Sequence, residues 1–152
     1  MVKLAKMMFY SDFLAFKNLG ESITGLEYRK LPQGPVPTKA KAIQSHLVAE
    51  GKAYEREGTF GRIQLIPVDR FNRKNFEGTF SEKELDIMDD VYEQIRPTKA
   101  GEISDLSHDF LGWQVANWEE VIPYATTLIQ QRRLTQRELD SGSKLLKEMG
   151  VG

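Results

Sequence analysis

LPQGPVPTKA, residues 31–40, sets three prolines and a glycine between two amphipathic stretches. Pro32 pushes Leu31 out of helical space, Pro35 presets a turn, and Pro37 pushes Val36 the same way, so this segment is expected to be extended and stiff. The residues leading into it, LEYRK at 26–30, alternate only weakly between apolar and polar. The fold must therefore be organised around a rigid segment that no helix can absorb.

Working outward, Val2, Ala5, Phe9, Phe13 and Phe16 recur at three- and four-residue steps and predict a core-facing helix from Val2 to Asn18, closed by Gly20 as a left-handed cap. Downstream, Thr38 suits an N-cap, and Ala40, Ile43 and Leu47 trace one face until Gly51. Residues 53–69 differ: the alternation in RIQLIPV, with Gly58 and Gly61, predicts two short strands and a glycine-containing turn. Residues 70–79 read as a polar, basic, aromatic loop.

FSEKEL supplies three start signals at once: Ser81 as N-cap, Glu84 completing a capping box, and Phe80 with Leu85 as a hydrophobic staple. That helix is expected to run through Leu85, Met88, Val91, Tyr92 and Ile95 and to stop before Pro97. Thr98 is expected to cap another, with Ala100, Ile103, Leu106 and Phe110 inward. Leu111 to Pro123 reads as irregular and aromatic, followed by an apolar turn from Tyr124 to Ile129. LTQREL repeats the start signal with Thr135 and Glu138, predicting a last helix over about residues 135–149. The fold class is α+β and predominantly helical: five to six helices with a small antiparallel hairpin or sheet, in one domain over residues 1–152.

Composition narrows the function. The 152 residues are 40% hydrophobic and 28% charged, enough for one core. A net charge of −1 removes any global basic field for nucleic acid or an anionic membrane. The absence of cysteine removes disulfides, thiolate metal sites and a cysteine nucleophile. Lys3, Lys6 and Asp12 interrupt the N-terminal apolar stretch, which is neither a signal peptide nor a membrane span, so a cytoplasmic protein is expected. Residues 82–120 carry 3 basic and 11 acidic side chains, whereas residues 1–81 carry 13 and 8. A solvated helix face and a surface that attracts a basic partner both fit that acidic middle.

Ser107, His108 and Asp109 are consecutive, and adjacent helical side chains diverge by about 100°, so they cannot converge as a catalytic triad. His108 as a general base with distant partners is a hydrolase reading; a histidine fixing a helix end is the structural one. No metal is expected, since His46 and His108 stand on different elements and Asp86, Asp89 and Asp90 lack a calcium-loop glycine. No cofactor is expected either, because neither phosphate-cradling glycine pattern occurs. RFNRKNF interleaves basic and aromatic residues, and a nucleic-acid-binding regulator would use Arg70, Arg73 and Lys74, with Arg132 and Arg133.

Three stretches in order, KLAKMMFYSDF, ITGLEYRKLPQGPVPT and ISDLSHDFLGWQ, resemble the Panacea domain of the SocA-like antitoxin family, also met as phage-associated proteins, over roughly residues 2–115. Lys3, Leu4, Lys6, Met7, Phe9 or Tyr10 and Asp12 fall on the first motif. Tyr28, Gly34, Pro35, Val36 and Pro37 fall on the second, and Leu106, Ser107, His108 and Trp113 on the third. Members often carry a helix ahead of the first motif, whereas this chain begins almost on it, which implies a shortened member or a truncated sequence. The resemblance implies a non-enzymatic antitoxin that binds its cognate toxin, encoded by an adjacent gene, directly or with delivery to a protease. On that reading the motif residues are architectural, with Ser107 and His108 bonding the free carbonyls of GPVP. Contacts to a basic toxin would fall to Asp86, Asp89, Asp90 and Glu93, with Trp118 as aromatic anchor.

Overall fold

The computed structural model describes residues 1–69 and 72–129. Arg70, Arg132, Arg133 and the helix predicted over residues 135–149 lie outside the described residues. Within them are five α-helices and two small antiparallel sheets of two strands each, the mostly helical α+β fold expected.

Helix α1, Val2–Leu19, follows its apolar periodicity: Ala5, Phe9 and Phe13 are buried, and Gly20, at φ 87°, donates its N–H to the carbonyl of Phe16 as a left-handed cap. This helix separates two buried clusters. On one side Ala15 packs with Ile87, Val91, Ile95 and Ile103. On the other, Phe9 and Phe13 meet Tyr28 and Ile122, with Phe110, Trp113 and Tyr124 against them. A fully buried large apolar side chain of this kind contributes about 1.5–3 kcal/mol.

The proline-rich segment is a β-hairpin, a pairing that its sequence concealed. Strands β1, Tyr28–Leu31, and β2, Gly34–Pro37, pair Tyr28 with Pro37, Arg29 with Val36, Lys30 with Pro35 and Leu31 with Gly34. Antiparallel pairs alternate between bonded and non-bonded. Here Lys30 and Tyr28 direct their backbone groups away from β2: the Lys30 N–H goes to Glu120, and the carbonyls of Lys30 and Tyr28 accept from Glu119 and Ile122. Pro35 and Pro37 therefore stand opposite residues that need no N–H from β2, and two prolines are tolerated in a four-residue strand.

Helix α2, Ala40–Ala49, buries no side chain. Its N-cap is Lys39 rather than the expected Thr38, whose N–H instead extends the hairpin by bonding Glu27. Strands β3, Ala53–Glu57, and β4, Ile63–Pro67, form the predicted hairpin. Helix α3, Glu82–Ile95, starts at Ser81 with the predicted capping box: the Ser81 N–H donates to Glu84 at 2.7 Å and the Glu84 N–H to the Ser81 hydroxyl at 3.3 Å. Tyr92 is 47% exposed, and Ile87 is buried.

Helix α4, Ala100–Ser107, starts at Lys99, not Thr98, whose hydroxyl bonds back to Gln94. Its inward residues are Ile103, Ser104 and Ser107, whereas Leu106 is 55% exposed. Helix α5, Leu111–Val115, occupies sequence read as irregular, and a 3-10 helix follows at Tyr124–Leu128. Among the described residues no helix is long and apolar enough to cross a membrane.

Candidate functional site

The three motifs converge on the β1–β2 hairpin. From α1, Asp12 reaches across with no exposed surface and accepts from the Thr24 N–H at 2.7 Å, the Thr24 hydroxyl and the Tyr28 hydroxyl at 2.6 Å, with the Tyr124 hydroxyl 3.4 Å away. A buried carboxylate is tolerated when its lone pairs are occupied in this way. Burial, with Asp12 adding to it, pushes the Tyr28 hydroxyl far up; burial also pushes Tyr124 up to about 12. Tyr124 donates to the carbonyl of Leu26 at 2.5 Å, closing the cluster from the far end of the chain.

The turn is held from its other side. Pro32 and Gln33 have negative φ, and Gly34 takes φ 89°, the left-handed position after a proline-led turn. A Cβ there would stand 2.0 Å from the Ser107 hydroxyl and 2.6 Å from the Lys6 Nζ, so glycine is required for space as well as conformation. Lys6, 1% exposed, donates its Nζ to the Pro35 carbonyl at 2.8 Å, and burial lowers its pKa to about 8.

His108 bonds the Pro32 carbonyl through Nε2 at 3.1 Å and stacks on Trp113 at 4.2 Å. A carbonyl only accepts, so Nε2 carries the proton. Trp113 donates its indole N–H to Leu31 at 3.1 Å. His108, expected to bond the carbonyls of GPVP, bonds the carbonyl of Pro32 in the turn before it instead. Ser107 is corrected: fully buried, it donates to the Ser104 carbonyl at 2.6 Å, and Lys6 bonds Pro35 in its place. Val36 and Pro37 act as strand residues.

The Ser107 hydroxyl is committed to Ser104 and the His108 Nε2 to Pro32. Among the described residues no group of three or more His, Asp or Glu is placed to hold a metal ion.

Lys30, absent from the sequence reading, lies between two indoles. Its Nζ is 4.6 Å from the Trp113 ring and 5.0 Å from the Trp118 ring, and it donates to the carbonyls of Ala116 at 2.9 Å and Gln114 at 3.2 Å. This pins the segment after α5 against β1 and leaves Trp118 61% exposed. Only a packed structure brings Lys30 and Ala116 together, and no spacing rule anticipates it. Thr24 and Tyr124 went unnoticed for the same reason.

The α3 carboxylates do not form one open patch. Arg73 bonds Asp89 at 2.6 Å, Asp86 at 2.8 Å and Glu82 at 3.0 Å. Glu93 bonds Arg96 at 3.2 Å, and Asp90 is exposed. The structure thus sets Asp86 and Asp89 against Arg73 and Glu93 against Arg96, leaves Asp90 exposed, and does not place Trp118 on α3. Arg73, counted toward a phosphate-binding loop, is engaged by its own protein, while Lys74 is exposed.

A family model described as the Panacea domain of SocA-like antitoxins matches residues 4–114, which takes in all three motifs but for Lys3. No curated protein and no solved structure matches the chain.

Proposed function

Because the chain belongs to the SocA-like antitoxin family, with the Panacea domain over residues 4–114, we propose that it is a cytoplasmic, non-enzymatic antitoxin that neutralises a toxin encoded by an adjacent gene through direct contact. One observation supports this reading most. The motif side chains Asp12, Tyr28, His108 and Trp113 spend their polar groups on each other, on Thr24 and on the hairpin backbone, and Ser107 spends its own on the α4 backbone. A domain whose shared residues build a scaffold leaves partner choice to its outer surface, here α3 with Asp90 and Glu93 and, separately, Trp118. Asp86 and Asp89 reach a partner by sharing or exchanging Arg73.

Co-expression with the adjacent gene tests the proposal. The expected result is a neighbour that arrests growth alone, growth restored by this chain, and a complex recovered on purification. A harmless neighbour with no complex overturns it. Toxin abundance in cells with and without their cytoplasmic proteases then separates occlusion, which leaves abundance unchanged, from delivery, which lowers it.

A further inference from the structure

Between α1 and α3 runs a groove of about 400 Å³ whose walls carry Met7, Met8, Ile23, Phe80, Met88 and Tyr92. Three of the chain's five methionines line it. Unbranched thioethers adapt to more than one apolar shape, a property of surfaces that accept varied partners. Two of the polar groups that line it are already committed: Thr24 donates to Asp12, and Asp89 accepts from Arg73. With those groups engaged, recognition proceeds by apolar shape, as in grooves that receive one face of an amphipathic segment.

Charge selects the occupant. Along α3, Glu82, Asp86, Asp89 and Glu93 follow at steps of four, three and four, so they form a stripe beside Met88 and Tyr92. Arg73 and Arg96 are the bases paired with this stripe, which leaves two of its four negative charges in excess. An apolar groove edged by excess negative charge complements apolar side chains flanked by Lys or Arg.

We propose that this groove is the toxin-docking site, taking the apolar face of a basic amphipathic segment of the toxin while the α3 carboxylates receive its cations. The inference rests on the antitoxin reading and adds to it the anchoring surface and the chemistry of the segment that anchors.

The test uses the full-length chain with methyl-labelled methionines, titrated with the purified toxin encoded beside it and followed by nuclear magnetic resonance. The expected result is movement of the Met7, Met8 and Met88 methyl signals. Affinity should fall about tenfold in Met88→Gln, the loss that removal of a buried anchor brings, and should also fall in Glu93→Lys. If Met88→Gln fails to fold, the methyl signals of the unaltered chain decide. Toxin that binds while these methyls stay still, or that binds Met88→Gln with undiminished affinity, overturns the groove and leaves the antitoxin reading standing. Toxin that does not bind the unaltered chain overturns that reading and the groove with it. Methyl shifts that follow the protein's own concentration would mark a second copy as occupant and also overturn the assignment.

Discussion

Lys6 shows how a residue can hold a fold together at a cost. Among the described residues it has no carboxylate partner within salt-bridge distance, and its ammonium is buried against the Pro35 carbonyl. Burial disfavours the charged form, so the folded pKa of about 8 lies below the ordinary 10.5. Below about pH 8 both states hold the proton and the folded state bears the desolvation. From there to about 10.5 the unfolded chain binds more protons, so stability rises with pH, by about 3 kcal/mol at most. The buried Tyr28 and Tyr124, with raised pKa values, act in the opposite sense above about pH 10. Urea unfolding between about pH 7.5 and 9.5 is therefore expected to show a rise in the native chain that Lys6→Met lacks; equal slopes would show that Lys6 is not desolvated. Sequence placed Lys6 on the first motif but gave it no role, because helical spacing shows which side a residue faces and not which carbonyl waits there.

At the scale of elements, β1–β2 depends on close approach more than on strand propensity. Gly34→Ala adds a Cβ in the left-handed region against Ser107 and Lys6. Backbone strain and overpacking together should cost about 2–4 kcal/mol, measured by thermal or urea unfolding; a loss below about 1 kcal/mol would mean that the α4 contact is not tight. The same crowding falls on a misread helix. Leu106, expected inward on α4, is exposed, and the helix turns Ser104 and Ser107 in, with Ser107 lying against Gly34 where only a small side chain fits. Local signals were legible: the α1 periodicity, the Gly20 cap, the Ser81–Glu84 capping box and the β3–β4 hairpin all sit where their short-range chemistry puts them. Thr38 and Thr98 were misplaced as caps, since each found another bond nearby. The β1–β2 pairing was missed because its prolines are acceptable only when β1 bonds residues 119–122 on its other side, about ninety residues away in sequence.

Across the whole molecule, the motifs and the acidic middle divide into inside and outside. Motif residues that sequence resemblance picked out, Lys6 among them, meet around one hairpin, with Thr24 and Tyr124 completing the seat. The acidic helix faces outward, partly neutralised by Arg73, beside a methionine-lined groove. Composition made that helix's charge visible, but its pairing with Arg73 depends on how the loop before α3 folds back. On the proposed function, the motifs build the scaffold while α3 and Trp118 meet the toxin. Amide hydrogen exchange, compared between the chain alone and the toxin complex, tests it most directly. Slowed exchange is expected over Glu82–Ile95 and around Trp118, with β1–β2 unchanged; slowing confined to β1–β2, with α3 and the Trp118 segment unaffected, would overturn that division of roles.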